Sequence, residues 1–174
     1  MTAIKIQQDY VSENINERSF RDLMGRFATG VTVITTTDGD MDHGTTANAV
    51  TSVSTEPPTL LTCLNKSSNT GRAISRSGRF VVNILSSDQE ALARSFAAKG
   101  GEKFSEVKIG RTSRGQVFLS EGLAFIECQV VESVSAATHE IVIGRVVTMA
   151  RQSEEADEPL VFYRGKFGMF RLSN

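Results

Sequence analysis

The sequence predicts a mainly β domain (α+β), in which antiparallel strands close into a barrel and a few helices lie against it. Three observations predict this class. Runs rich in β-branched residues recur along the chain, with turn residues between them. Segments with helical periodicity are interspersed, without the regular strand–helix alternation of a doubly wound fold. Closure into a barrel would remove the exposed edges that a sheet of this kind otherwise leaves.

Composition fits a single domain of ordinary type. The 174-residue chain is 40% hydrophobic and 22% charged, so it can form a substantial core. The net charge of −1 does not indicate a nucleic acid or an anionic membrane as a partner. The sequence shows no spanning helix and no apolar signal core. We expect a cytoplasmic protein with a loose arm over residues 1–15 and one domain over residues 16–174.

Strands are predicted from β-branched or alternating residues and from the turn residues that bound them. In chain order they are residues 31–37, 45–54, 59–64, 79–85, 123–134, 140–150, 160–163 and 166–172. The first, VTVITTT, consists of β-branched residues alone. Pro57 and Pro58 end the second, because proline cannot donate a hydrogen bond to a ladder. Gly165 is the turn of the last hairpin. Residues 102–122 are predicted to be irregular.

Three segments are predicted as helices. In residues 17–28 apolar side chains recur at positions i, i+3, i+4 and i+7, and Asn16 precedes them as the N-cap. This helix is expected to stop at Gly30. A short second helix is predicted over residues 69–77. The third is expected to open within SSDQE, residues 86–90, where Ser87 and Glu90 form a capping box.

Few residues could bind a metal or act as a nucleophile. Cys63 and Cys128 each lie in an apolar strand without a C-x-x-C partner, which predicts buried free thiols. The two histidines, His43 and His139, are too few for a His-rich metal site, and the HExxH pattern is absent because Ile143 follows at the decisive position. We therefore predict no metal site. The Rossmann and P-loop glycine motifs are absent too.

The stretch from Gly44 to Thr70, GTTANAVTSVSTEPPTLLTCLNKSSNT, is dense in small polar side chains. Small residues allow a ligand to approach the backbone, and hydroxyl, amide and N–H groups offer many hydrogen bonds. Lys66 adds a charge in the polar loop near its end. The pattern suits a flat ligand with polar edges and a phosphate tail, and we interpret it as a flavin-nucleotide cradle. On composition alone, an ordinary Thr- and Ser-rich strand with its turn is the alternative.

Six segments together resemble the flavin reductase-like split-barrel family, the small NAD(P)H:flavin oxidoreductases. They are RDLMGRFATGVTVITT, the stretch just described, RFVVNILSSDQEALARSFA, the Lys103-Phe104 pair, THEIVIGRV and PLVFYRGKFGMF. They occur in the family's order and cover nearly all of residues 21–170. The resemblance implies a six-stranded antiparallel split β-barrel, FMN-binding and of Greek-key type, with flanking helices. It also implies a homodimer with flavin near the subunit interface.

The implied activity is that of a flavin reductase. Such an enzyme reduces free FMN or FAD with NADH, or with NADPH, and passes the reduced flavin to a partner monooxygenase. The sequence leaves the choice of flavin and of nicotinamide nucleotide open. It also leaves open an FMN-binding electron-carrier module, a flavin-dependent reductase of another acceptor such as a corrinoid or ferric chelate, and oxidation of a pyridoxine phosphate. A barrel by itself does not separate these functions.

The resemblance also implies which residues contact the cofactors. Those along the isoalloxazine edge and the ribityl chain are Thr46, Ala47, Asn48, Ala49, Ser52, Val53 and Ser54. Those of the phosphate loop are Leu64, Asn65, Lys66, Ser67, Ser68 and Thr70. Those near the outer part of the flavin are Phe96, Ala97, Lys103 and Phe104, and those near the nicotinamide pocket are Tyr163, Arg164 and Phe167.

His139 is the candidate catalytic residue, because it matches the histidine of the family's G-D-H segment beside the nicotinamide. Here Ala137 and Thr138 precede it in place of Gly-Asp, so no role carries over to the residue before the histidine. A strand-end histidine bonded to backbone is the alternative. Hydride transfer between the two cofactors needs no protein acid, base or nucleophile, so the predicted roles are binding and positioning.

Overall fold

The computed structural model describes residues 12–153 and 158–170, so most of the predicted N-terminal arm lies outside the described residues. Its helices are α1 (Glu17–Met24), α2 (Asn69–Ser77) and α3 (Glu90–Ala97). Its strands are β1 (Thr29–Gly30), β2 (Thr32–Asp38), β3 (Met41–Ala47), β4 (Val50–Thr55), β5 (Pro58–Asn65), β6 (Arg79–Ile84), β7 (Ile109–Arg111), β8 (Val117–Leu119), β9 (Ala124–Ala136), β10 (His139–Arg151), β11 (Leu160–Tyr163) and β12 (Lys166–Met169). The predicted mainly β class is confirmed.

Seven strands form the main antiparallel sheet, in the spatial order β3-β2-β6-β9-β10-β5-β4. Its two edge strands, β3 and β4, are neighbours in the chain, and only Asn48 and Ala49 separate them. This short connection reaches at most about 11 Å from the last residue of β3 to the first of β4. The sheet therefore curls until its two edges approach each other at this connection.

The predicted closed, six-stranded barrel is wrong for this sheet. It has seven strands, and within the described residues no ladder joins β3 to β4. The prediction of one continuous strand over residues 45–54 is also wrong. The chain leaves β3 at Ala47, where it was paired with β2, and enters β4 at Val50, where it pairs with β5. Both halves are rich in β-branched residues, so local composition does not reveal the change of partner.

Two smaller sheets complete the fold. One has the order β1-β11-β12, and the other is the β7–β8 hairpin, which lies in the segment predicted to be irregular. The hairpin is attached by side chains: Asn83 Oδ1 accepts a hydrogen bond from Leu119 N at 2.8 Å, and Thr35 Oγ1 donates to Val117 O at 2.6 Å. These contacts join residues far apart in sequence, so no local pattern predicts them.

Helix α1 begins as predicted but ends early. Asn16 caps it in a capping box with Ser19, which confirms the predicted N-cap. The helix ends at Met24 with Gly25 as its C-cap, before the predicted stop at Gly30. None of its residues is fully buried, so its apolar face lies on the surface of the chain.

The predicted capping box of α3 is wrong, whereas the predicted α2 is confirmed. Helix α3 begins at Glu90, after Gln89, and no side chain caps it. The Gln89 side chain instead accepts a hydrogen bond from Ser86 N at 3.0 Å. Helix α2 ends as expected at Gly78, whose φ of +67° is the left-handed conformation that glycine adopts without strain.

The core consists of two hydrophobic clusters on either face of β2, which is buried on both sides. One contains Ile34, Leu60, Leu64, Ile74, Phe80, Val82, Cys128 and Val142. The other contains Val31, Val33, Leu85, Ala93, Phe96, Leu119 and Leu160. The prediction of free thiols is confirmed, although only Cys128 is fully buried and Cys63 is partly exposed. Burial, with a contribution from the charge of Glu127, raises the pKa of the Cys128 thiol to about 12.

No helix within residues 12–153 and 158–170 is long and apolar enough to cross a membrane.

Candidate functional site

The connection between β3 and β4 presents unpaired backbone groups. Both strands are sheet edges, so each has one row of N–H and C=O groups without a ladder partner. Asn48 and Ala49 are exposed, while Thr46 and Ala47 are half-buried. The connection is held from one side, because Cys63 N donates to Ala49 O at 3.0 Å. This edge can pair with the polar rim of a planar ligand as it would with another strand.

Strand β4 continues this surface with small side chains. A register shift between Ser52 and Ser54 leaves Val53 without a direct partner on β5, and Val53 is 52% exposed. The Ser54 hydroxyl is used locally, since it lies 3.0 Å from both N and O of Glu56. Ser52 is exposed, and its hydroxyl has no hydrogen-bond partner among the described residues.

The loop after β5 forms a compact group of donors at the start of α2. Asn65 Oδ1 accepts hydrogen bonds from Ser67 N at 2.9 Å and from Ser67 Oγ at 2.7 Å. Ser68 is the N-cap of α2 and accepts from Gly71 N. The first N–H groups of a helix have no intrahelical acceptor, so those of Asn69 and Thr70 point out of the helix start. With the helix dipole they make this loop suitable for an anion.

The chain segment that contains this loop has basic residues and no acidic ones, although Arg76 is paired with Asp38. Residues 57–87 contain no Asp or Glu but include Lys66, Arg72, Arg76 and Arg79. Arg72 lies at the loop itself, since its Nη1 donates to Ser67 O at 3.3 Å and its Nη2 donates to Asn69 Oδ1. The sequence reading missed Arg72. Its position in the first turn of α2, five residues after Ser67, was the signal that could have identified it.

His139 lies beside the same loop. It is the first residue of β10 and pairs in register with Asn65, the last residue of β5. Its Nδ1 lies 2.9 Å from Thr138 Oγ1. The turn before it is joined to Lys66, whose backbone N donates to Thr138 O at 3.1 Å. The β3–β4 connection, the anion loop and His139 are thus brought together around the end of β5.

Helix α3 and the following loop support β3 from the other face. Phe96 is fully buried, whereas Ala97 is exposed. Lys103 Nζ donates to Phe96 O at 2.8 Å and to Gly44 O at 3.3 Å, and its partial burial lowers the pKa of this ammonium. Phe104 packs edge-on against Phe96 with ring centroids 5.1 Å apart. These residues fix β3 in place, and only part of their surface is open to a ligand.

Two predicted contact residues have side chains that are already engaged. Thr46 Oγ1 donates to Ala93 O at 2.6 Å, so its hydroxyl proton is used by α3. Leu64 belongs to the core and is 3% exposed. Any contact that these residues make with a ligand must therefore involve the backbone, or, for Thr46, the hydroxyl lone pairs.

The β11–β12 hairpin contacts α3. Phe167 packs against Phe162 and lies under the guanidinium of Arg94 of α3, 4.8 Å from its ring centroid. Tyr163 is 45% exposed. Arg164 N donates to Gly25 O at 2.7 Å, which ties the turn to the end of α1. In the described part of the chain, no hydrogen bond, ion pair or ring contact joins this hairpin to His139.

These residues fit a flavin nucleotide. The open strand edges and exposed small side chains accommodate a flat ring with hydrogen-bonding edges. The start of α2, Lys66 and Arg72 provide donors and positive charge for a phosphate. The described residues contain no group of three or more His, Cys, Asp or Glu that could hold a metal ion.

A comparison with protein families decides the assignment. The family profile of the flavin reductase like domain matches residues 24–171. The chain belongs to the flavin reductase-like family. The resemblance inferred from the sequence is therefore confirmed, and the match includes every predicted cofactor-binding residue and His139.

Individual proteins that are similar to this chain are consistent with the family assignment. The reductase component of 4-nitrophenol 4-monooxygenase/4-nitrocatechol 2-monooxygenase from Rhodococcus opacus is 38% identical over 160 residues, covering 92% of this chain and 84% of its own. A homologue of nitrilotriacetate monooxygenase component B from Mycobacterium thermoresistibile superposes with a TM-score of 0.86 at 33% identity, covering 89% of this chain and 87% of its own. The NADH:FAD oxidoreductase SgcE6 of Streptomyces globisporus C-1027, solved with NAD and FAD fragments, has a TM-score of 0.84 at 32% identity, with 92% and 98% covered.

Proposed function

We propose that this protein is an NAD(P)H:flavin oxidoreductase that reduces FMN or FAD and supplies the reduced flavin to a partner monooxygenase. The observation that carries the proposal is the meeting of three groups around the end of β5. They are the open edges at Asn48 and Ala49, the anion loop from Asn65 to Thr70, and His139. Relatives named as monooxygenase reductase components and as an NADH:FAD oxidoreductase support the same activity.

The protein residues would act by binding and orienting. When bound, flavin and nicotinamide themselves supply the hydride acceptor and donor. The anion loop and Arg72 hold a phosphate. The edges of β3 and β4 orient a polar ring rim, and His139 lies where a second ring could be positioned beside the first. Positioning of this kind is the main contribution a protein makes to such a transfer.

The curled sheet is part of the same proposal. We infer a split barrel of the FMN-binding type, with its opening at the β3–β4 connection. The two-residue link between opposite sheet edges supports this class, as does the superposition on flavin reductases. A cytoplasmic location and a single domain over residues 16–174 remain expectations from the sequence.

The activity is tested by following NADH consumption in air with the purified protein, with and without FMN, FAD or riboflavin. Turnover that depends on added flavin is expected, and the same assay with NADPH identifies the preferred nucleotide. The supply of reduced flavin is then tested by adding a monooxygenase that requires reduced flavin, together with its organic substrate, and measuring the hydroxylated product. A protein that purifies yellow but consumes no NADH with any flavin would contradict the proposal and favour the electron-carrier module.

Asn48→Leu is expected to weaken flavin binding by about tenfold. The exposed amide offers hydrogen bonds at the β3–β4 connection, and an apolar side chain there would leave polar ring atoms unpaired. The measurement is a fluorescence titration with FMN and FAD. Asn14→Leu, an exposed amide before α1, serves as the control and should bind flavin like the wild type. Equal affinity in Asn48→Leu would remove this residue from the proposed site.

We also propose a homodimer, as the resemblance implies, with α1 at its interface. Phe20, Leu23 and Met24 share one face of α1, Phe27 follows shortly after the helix, and these four residues are 51–70% exposed in the single chain. A second copy of the chain is the proposed cover for this face. Leu23→Glu should shift sedimentation from dimer to monomer, while Ile109→Glu, an exposed apolar residue on β7, should not. A wild-type protein that sediments as a monomer would contradict this part.

A further inference from the structure

The turn that precedes His139 has an unfavourable backbone conformation. Ala137 and Thr138 form a two-residue hairpin loop between β9 and β10. Ala137 has a φ of +48°, which is the left-handed region. Positive φ at the first central residue is a feature of the turns that suit such hairpins, and glycine is the usual residue there because a Cβ is crowded. An alanine in this conformation persists only when neighbouring contacts hold it.

Lys66 provides those contacts. Its backbone N donates to Thr138 O at 3.1 Å, and its Nζ donates to Ala137 O at 2.7 Å. One residue of the anion loop therefore binds both carbonyl groups of the turn. Within the described residues, the remaining polar contact of the turn is that between Thr138 Oγ1 and the His139 ring.

The position of the His139 ring follows from this turn. Thr138 Oγ1 lies 2.9 Å from Nδ1 of His139. With neutral imidazole and the hydroxyl as donor, the ring proton is on Nε2, which leaves an N–H directed away from the turn. The His139 backbone is paired with Asn65 and Ala136, so a change in the turn would act through the Thr138 hydroxyl, which it would move, and so would alter the direction of this N–H.

We propose that Lys66 is a positioning residue for His139: it holds the left-handed turn at Ala137 and thereby sets the ring beside the nicotinamide. The inference rests on the proposed function, which places His139 on the nicotinamide side. An ammonium has three N–H groups, and only one is used by Ala137 O. The other two remain free for a phosphate, so Lys66 links the anion loop to His139.

The test is Lys66→Met, which keeps the length of the side chain and removes its donors. We expect the KM for NADH to rise about tenfold, the effect of losing one charged hydrogen bond. Ala137→Gly in the same background should bring the KM back to within about threefold of wild type, because glycine adopts the turn unaided. Glycine cannot replace a phosphate contact, so any loss of flavin affinity should persist in the double variant.

Lys99→Met is the matched control, since Lys99 is exposed and has no partner among the described residues. It should leave both constants unchanged. A Lys66→Met variant that binds flavin weakly but keeps the wild-type KM for NADH would overturn the proposal. So would a raised KM that Ala137→Gly does not relieve, because Lys66 would then act through the phosphate alone.

A second measurement does not depend on activity. The chain has only two histidines, so the Cε1–H region of its NMR spectrum contains one histidine signal from each ring. Lys66→Met should shift the His139 signal and leave that of His43 in place, and Ala137→Gly should reverse the shift. An unchanged His139 signal would overturn the inference. A shifted signal in a protein that oxidises no NADH would instead contradict the proposed function while supporting the structural role of Lys66.

Discussion

Gly44→Ala is expected to destabilise the protein by about 1–3 kcal/mol, lowering its Tm by about 2–4 °C for each kcal/mol. A Cβ at Gly44 would lie 2.5 Å from an atom of the Phe96 ring and 3.2 Å from the ring of Phe104. Phe96 is fully buried, so its ring cannot swing away. The methyl group would therefore push α3 away from β3. Thermal unfolding monitored by circular dichroism measures the effect.

The same change should weaken flavin binding, because α3 holds β3 in place. Lys103 bridges Gly44 and Phe96, and the Thr46 hydroxyl donates to α3. Gly168→Ala is the control: a Cβ there has nothing within 4 Å, and Tm should stay the same or rise slightly. Phe96→Leu should relieve the clash, so that the double variant is less destabilised than the sum of the single variants. Strict additivity would show that the two residues do not compete for space.

Glu127→Met is expected to stabilise the protein by about 1–4 kcal/mol, against the usual direction of a core substitution. The Glu127 side chain is fully buried, and neither of its carboxylate oxygens accepts a hydrogen bond from the described residues. Its nearest cation is Arg114, whose Nη1 lies 4.0 Å from Oε2 and also donates to Thr148 Oγ1. A methionine of similar volume avoids the desolvation of a carboxylate that gains little in return. Denaturant unfolding measures the difference.

Removing the cation of this pair, instead of the carboxylate, should lower the stability of the protein. Arg114→Met removes the nearest cation from the buried carboxylate and is expected to destabilise the protein by about 1 kcal/mol, less than for a close buried pair, because Arg114 is 41% exposed and lies 4.0 Å away. Combining it with Glu127→Met should remove most of that cost. Arg76→Met, which breaks the more exposed pair with Asp38, should change stability by less than about 1 kcal/mol. A destabilised Glu127→Met variant would show that the carboxylate has a favourable role in the fold.

Local patterns predicted the elements that local forces form. The β-branched run at residues 31–37, the N-cap Asn16 and the end of α2 at Gly78 all appear where the sequence places them. The capping box at Ser87 failed, because the Gln89 side chain binds Ser86 N instead and delays the helix to Glu90. An N-cap is decided by competition among nearby side-chain acceptors for backbone N–H groups, and the sequence shows which acceptors are present but not which one forms the bond.

At the candidate site, too, some features were predicted from the sequence and others depend on tertiary packing. Family membership is confirmed, and the structure brings the predicted residues Asn48, Asn65 and His139 to one place. The residue roles within that place stay predictions. Composition could not show that the Thr46 hydroxyl is engaged by α3, or that Arg72 reaches the anion loop. Both depend on how α2 and α3 dock, which is a matter of packing between distant segments.

By itself, the sequence determined the mainly β class, most strand and helix positions, and the membership of the flavin reductase-like family. These follow from periodicity, turn chemistry and motif order, which are local or additive properties. The tertiary structure alone decided that residues 45–54 divide into strands on opposite edges of a seven-stranded sheet. It also placed Lys66 against the turn before His139. Pairing partners and side-chain contacts across the fold depend on closing long loops against competing arrangements, and that competition leaves no mark in a local window.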